Sequence, residues 1–152
     1  MTTTKLTQRF DAPASAVYRA LIDPDAVSAW MFPDGMSTHI HHFEPRVGGR
    51  FRISLTYDGD TGAGKSSART DTYHGRFVSL VPNERVVETL EFETPDPSMQ
   101  GEMRITFALV EAEGATELSA WHENVPPGIS PVDNETGWRM ALARLGQLVE
   151  GA

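Results

Sequence analysis

The hydrophobic pattern near the start of the chain predicts a strand followed by two short helices. In the segment "TKLTQRF", Leu6 and Phe10 alternate with polar and charged neighbours, which is typical of a strand with one buried face. The next segment, "DAPASAVYRALID", changes to a helical period, and Pro13 fits the first turn because its missing N–H would have no partner there. Asp23 and Pro24 repeat this start signal and predict a second short helix.

Residues 37–125 show the two-residue period of strands and no helical period. In "RFRISLTY" and "EMRITFALV", apolar side chains alternate with polar ones, and "PNE" and "EAEGA" interrupt the pattern as turns. Consecutive strands joined by short turns run antiparallel, since a parallel connection needs a dozen or more residues. This part of the chain therefore predicts an antiparallel sheet.

A long amphipathic helix is predicted at the end of the chain. Ser130 is placed as its N-cap and Pro131 as its first helical residue. Apolar side chains then recur at helical spacing and form one stripe: Trp138, Leu142, Leu145 and Val149. The predicted fold class is α+β, with a curved antiparallel sheet of six to seven strands that grips the C-terminal helix. An apolar cavity would form between this sheet and this helix.

Composition narrows the class of protein. A length of 152 residues is most simply one domain, residues 1–152. The chain has no cysteine, so disulfides, thiolate metal sites and a thiol nucleophile are excluded. A formal net charge of -8 argues against non-specific binding to nucleic acid. The polar first residues and the lack of a long apolar stretch predict a cytoplasmic protein without membrane insertion.

The string "GDTGAGKS", residues 59–66, matches the phosphate-loop pattern G-x-x-x-x-G-K-[ST]. That mechanism needs a parallel strand before the loop and a helix whose N-terminus faces the phosphates after it. The following "SARTDTYHGRF" is rich in Thr and aromatic residues and has no helical period, so it predicts a strand. Residues 58–68 are therefore interpreted as a hairpin loop in preference to a nucleotide site, and no cofactor is predicted.

Three histidines in "THIHHFE" raise the question of a metal or catalytic site. His39 and His41 are two positions apart on a predicted strand, so they share one face. Two imidazoles at this spacing can chelate zinc or copper, but a site needs a third ligand. His122 or Glu123 on a later strand could supply it, but nothing in the sequence shows that they meet. Phe43 has the same parity, which predicts that this face is turned inward. No metal site is predicted.

Four side chains are candidates for acid–base catalysis: His41, Tyr73, Glu91 and Glu123. Trp121 and Glu123 share strand parity, and a carboxylate enclosed by Trp121 and Trp138 would have its pKa raised by desolvation, as proton transfer near neutral pH requires. The alternative is a solvent-facing glutamate near the end of a strand. No Gly-x-Ser-x-Gly elbow is present, so a serine nucleophile is not predicted.

Six strings in sequence order resemble the SRPBCC superfamily, whose members have the START-like helix-grip fold: "FDAPASAVYRALIDPDAVSAW", "HHFEPRVGGRF", "GRFVSLVPNERVVET", "GEMRITFALVE", "GATELSAWHENVP" and "GWRMALARLGQLVE". More narrowly, the chain is similar to bacterial single-domain members of the branch of heat-shock-protein-90 ATPase activator homologues. The resemblance implies a deep pocket under the C-terminal helix, which relatives use for lipids, hormones, polyketides and other apolar molecules. It also implies a cavity histidine at the position of His41.

With this resemblance, the aromatic and apolar residues become candidate pocket walls as well as core. The candidate ligand-binding residues are Trp30, Met31, His41, Phe43, Phe51, Ile53, Tyr73, Phe77, Phe92, Met103, Ile105, Trp121, Glu123, Trp138 and Leu142. The predicted function is binding of a small apolar or amphipathic molecule. The alternatives are an acid–base enzyme of cyclase, dehydratase or hydrolase type in the same cavity, and a chaperone-activating protein-interaction module. A homodimer is an open alternative for the assembly of the chain.

Overall fold

The computed structural model describes residues 2–32, 34–58 and 70–151. Seven strands are present in this part of the chain: β1 (Thr2–Phe10), β2 (Met36–Phe43), β3 (Arg50–Tyr57), β4 (Thr70–Val81), β5 (Arg85–Phe92), β6 (Met103–Ala112) and β7 (Ala115–Val125). Three α-helices and one 3₁₀ turn accompany them: α1 (Ala14–Ile22), α2 (Pro24–Trp30), α3 (Pro131–Glu150) and the turn Pro97–Met99. The element order and the α+β fold class predicted from the sequence are confirmed.

The strands form one antiparallel sheet in the order β1-β7-β6-β5-β4-β3-β2. Strands β2 to β7 follow one another as a meander, and β1 pairs with β7 at the far edge. The chain between the two edge strands carries α1, which packs on β5, β6 and β7, and α2, which packs on β2 and α3. The three helices therefore lie on the same, inner face of the sheet.

The two halves of α3 have different environments. Leu142, Leu145 and Val149 are buried in the core, as the apolar stripe predicts. Gly146 permits a close approach of β1, since a Cβ at this position would lie 3.2 Å from the Phe10 ring. The second half of α3 is thus packed closely onto β1, whereas the first half stands away from β4 to β6 and leaves a space. No helix in the described residues is long and apolar enough to cross a membrane.

The phosphate-loop motif at residues 59–66 lies outside the described residues. The strands on either side of it, β3 and β4, are antiparallel neighbours whose pairing runs from Arg50↔Arg76 to Thr56↔Thr70. A strand and not a helix therefore begins at Thr70, as the sequence pattern predicts.

Candidate ligand-binding cavity

A cavity of about 890 Å³ opens between the sheet and the first half of α3. Its size is in the range of about 300–1,000 Å³ that small-molecule sites occupy. The floor comes from the inner faces of β3 to β7, and the roof comes from the segment that leads into α3 and from its first turns. Large apolar side chains line much of it: Leu55, Leu90, Phe92, Ile105, Ile129 and Trp138.

Methionines are concentrated in this wall. Five of the six methionines of the chain line the cavity: Met31, Met36, Met99, Met103 and Met140. Methionine is unbranched and polarisable, so such a wall can adapt its shape to different apolar partners.

His122 lines the cavity as a neutral imidazole. Its Nδ1 accepts a hydrogen bond of 3.0 Å from the indole Nε1–H of Trp138. An indole nitrogen only donates, so Nδ1 carries no proton and the proton is on Nε2, which lies 3.1 Å from Sδ of Met103. Burial lowers the pKa of His122 to about 4, and the hydrogen bond with Asn134 opposes this shift by a smaller amount. His122 is therefore a fixed polar group of the wall at neutral pH.

A smaller chamber of about 10 Å³ lies next to the cavity, and Met31 and Tyr73 line both spaces. Glu88, on the inner face of β5, also lines the chamber and is 6 % exposed. Within the described part of the chain, no side chain or backbone group makes a hydrogen bond or ion pair with its carboxyl group. Burial raises the pKa of Glu88 to about 8, so it is mainly a neutral carboxylic acid at pH 7.

Most of the predicted lining residues face one of the two spaces. The chamber is lined by six of them: Trp30, Met31, Phe43, Phe51, Ile53 and Tyr73. The main cavity is lined by Phe92, Met103, Ile105 and Trp138, and also by Met31 and Tyr73. Phe77 and Leu142 line neither space and belong to the packed core.

The prediction that His41 faces the cavity is wrong. The pairing of β2 with β3 shifts between Ile40 and His42, so His41 is one extra residue in the strand. Such a bulge changes the parity of the residues that follow it. Phe43 therefore lies on the inner side, in contact with the core, whereas His41 is exposed on the outer side and its Nε2 lies 2.7 Å from Oγ of Ser54.

The exposed imidazoles do not form part of a larger ligand cluster. His39 packs against His41 with ring centroids 4.5 Å apart. In residues 2–32, 34–58 and 70–151, no group of three or more His, Cys, Asp or Glu side chains is placed to hold a metal ion.

The candidate arrangement in which Trp121 and Trp138 enclose Glu123 does not form, because Trp138 lines the cavity and both Trp121 and Glu123 face away from it. Both lie on the outer face of β7, where the Nζ of Lys5 is 5.0 Å from the centroid of the Trp121 ring and Glu123 pairs in register with Arg104. The residue between them, His122, is the one that faces inward.

Glu91 is likewise on the outer face. Its Oε1 is 3.1 Å from Nε2 of His74, on the neighbouring strand β4. Of the four catalytic candidates, Tyr73 alone lines the cavity, and burial, followed by the nearby Glu88, raises the pKa of its hydroxyl above the ordinary value. A phenol that holds its proton so firmly is a poor base.

Comparisons with a family model and with solved structures agree on the family and the fold of this chain. Residues 11–150 match the family described as Activator of Hsp90 ATPase homolog 1-like protein. A crystal structure from Chromobacterium violaceum has 30% sequence identity and a TM-score of 0.86, with 99% of each chain covered. A second, from Rhodobacter sphaeroides, has 25% identity and a TM-score of 0.77 over 97% of this chain and 93% of that one. A third, from Nitrosomonas europaea, has 20% identity and a TM-score of 0.75 over 98% and 94% of the two chains, which shows the shared fold. No protein with a curated description matches the sequence.

Proposed function

The chain belongs to the family of Activator of Hsp90 ATPase homolog 1-like proteins, and we propose that its cavity binds a small apolar or amphipathic molecule. The observation that carries this proposal is the space of about 890 Å³ under the first half of α3, with five methionines in its wall. A concave space of this size, lined largely by apolar side chains, is typical of sites that bind small molecules.

The energetic reason for binding is removal of apolar surface from water. A buried methylene group contributes about 0.8 kcal/mol, so an eight-carbon chain contributes roughly 6 kcal/mol before the costs of association and ordering. Affinities weaker than micromolar are then expected for a plain alkyl chain, and further contacts determine specificity. The neutral His122 and the Asn134 amide supply polar contacts at fixed places in the wall.

Binding is favoured over acid–base turnover by the placement of the candidate catalytic residues. His41, Glu91 and Glu123 are on the outer face of the sheet and cannot reach a molecule in the cavity. His122, which does line the cavity, has its Nδ1 occupied by the Trp138 hydrogen bond. An enzyme that used one of these predicted groups would need it to contact the substrate, and the three residues on the outer face do not.

The test is a titration with Nile red, a neutral apolar dye whose fluorescence rises in apolar surroundings. Ala141 lines the cavity and is buried, whereas Ala143 is exposed on the same helix. We expect saturable binding by the wild type, at least a tenfold loss of affinity in Ala141→Phe, and affinity within about twofold of the wild type in Ala143→Phe. The inserted ring in Ala141→Phe occupies the space that the dye would take.

Core insertions can prevent folding, so Met140→Trp, at a half-buried lining position, provides a second filled cavity. Circular dichroism identifies the variants that fold. Wild-type dye affinity in a folded, filled variant, or no saturable binding by the wild type, would contradict the proposal.

A further inference from the structure

The chamber beside the cavity has an unusual combination of side chains. Among the described residues that line it, Glu88 alone has a carboxyl group, and five are aromatic: Trp30, Phe43, Phe51, Tyr73 and Phe107. Aromatic faces attract cations, and a carboxylate pairs with them.

The size of the chamber limits the group that can enter. Its volume of about 10 Å³ is close to the least space that can hold one water molecule. A primary ammonium group has nearly the size of a water molecule, whereas a guanidinium or a quaternary ammonium is several times larger. A hydroxyl group also meets the size limit, so size alone does not distinguish an amine from an alcohol.

The charges around the cavity distinguish the two. Three exposed aspartates line the main cavity: Asp34, Asp96 and Asp133. No lysine or arginine is among the lining residues in the described ranges, although Arg144 pairs with Asp34 from outside the wall. The potential inside a cleft lined by one sign of charge attracts ligands of the opposite sign. A cation is thus favoured over a neutral or anionic ligand.

We propose that the ligand of this cavity is an amphipathic primary amine, whose ammonium group enters the chamber and pairs with the Glu88 carboxylate while its apolar part lies against the methionine wall. This inference rests on the proposed function, since it specifies which molecule the cavity takes. Met31 and Tyr73 line both spaces, so they lie where a ligand that reaches from one space into the other would cross. The flexible Met31 side chain allows a single alkyl chain to pass.

The number of protons released on amine binding follows from the protonation states of Glu88, Tyr73 and the amine. In the unliganded protein Glu88 holds its proton at pH 7, and Tyr73 is the other titratable side chain among the described residues that line the chamber. The amine arrives already protonated. Glu88 then releases its proton to solvent and becomes the carboxylate of the ion pair, while Tyr73 stays protonated. Binding of the amine near pH 7 therefore releases close to one proton.

The experiment compares three ligands of equal chain length, 1-octylamine, 1-octanol and octanoate, by displacement of Nile red and by titration calorimetry. Glu88→Gln replaces the carboxyl with a neutral group of the same shape. Glu91→Gln is the matched control, because it makes the same change on the outer face of the same strand. For the wild type and Glu91→Gln we expect octylamine to bind at least tenfold more tightly than octanol at pH 8. In Glu88→Gln this preference falls to about twofold, and octanol binding is unchanged.

Calorimetry in buffers of different ionisation enthalpy adds a second readout. At pH 7, octylamine should release close to one proton from the wild type and none from Glu88→Gln. Equal binding of octylamine and octanol by the wild type, or an unchanged amine preference in Glu88→Gln, would overturn the inference and leave the proposed function standing. If none of the three ligands displaces the dye, the inference and the binding of simple amphipathic chains both fail.

Discussion

Glu88 and His122 are two buried titratable residues on the inner face of the sheet, and burial shifts their pKa values in opposite directions. The charged form is disfavoured in both cases, which raises the pKa of the glutamic acid to about 8 and lowers the pKa of the histidine to about 4. At pH 7 both side chains are therefore mainly neutral. Glu88 can acquire a charge when a cation approaches, whereas Nδ1 of His122 is already occupied by the hydrogen bond from Trp138.

The state of Glu88 predicts a pH-dependent effect of Glu88→Gln on stability. In the unfolded chain the carboxyl ionises near its ordinary pKa of 4.5, but in the folded protein it does so only near 8. The wild type therefore loses stability as the pH rises from 4.5 to 8, since the unfolded state ionises first. Glutamine removes this loss, so the variant should gain about 4 kcal/mol over the wild type at pH 8 and nearly nothing at pH 4.

Urea denaturation of both proteins across this pH range measures the difference, and the low-pH effect of His122 cancels because both proteins contain it. Glu91→Gln, on the outer face, should change stability by less than about 1 kcal/mol at either pH. A constant difference between Glu88→Gln and the wild type from pH 4 to 8 would show that Glu88 ionises normally in the folded protein.

The position of Glu88 could have been recognised from the sequence. In "RVVETLEF" it has the parity of Val86, Leu90 and Phe92, which places one carboxylate within an apolar series. His122 gave a similar signal, because it has the parity of Leu118 and Ala120. The pKa values could not be predicted, because they depend on how completely other elements cover these side chains.

At the scale of the element, alternation predicted the inner faces of β3 and β6 correctly. It failed in β2, where the bulge at His41 changes the parity between the histidines and Phe43. A bulge leaves no reliable mark in a short polar strand, so this error could not be avoided from the pattern. In β7 the pattern itself was sufficient, because Glu117 and Ser119 have the same parity as Trp121 and Glu123 and indicate an outer face.

The strand registers predict that His41→Ala and Glu123→Ala leave ligand binding unchanged. Both side chains are on the outer face, across the sheet from the cavity. Nile red and 1-octanol affinities should stay within about twofold of the wild type for each variant. Ala141→Phe serves as the inner-face reference. A tenfold loss in a folded His41→Ala protein would mean that β2 pairs in another register and that His41 faces inward.

At the scale of the whole molecule, the order of elements was predictable because each turn and each change of period is local. The place of the cavity between sheet and helix was also predicted, but its size was not, since the size depends on the distance between α3 and a sheet whose strands come from distant parts of the chain. Phe10 and Gly146 hold the second half of α3 close to β1, and the first half is left above the open part of the sheet. This asymmetry creates the cavity.

The most direct test of the cavity as a binding site is an NMR titration of protein labelled with ¹³C at the methionine methyl groups. Methionine signals report on the site because Met99, Met103 and Met140 line it from three separate elements. Addition of 1-octanol should shift these signals together, with one dissociation constant and with NOEs from the ligand chain to the methyl groups. Titration without such shifts, or with NOEs confined to residues on the outer face of the sheet, would contradict the account.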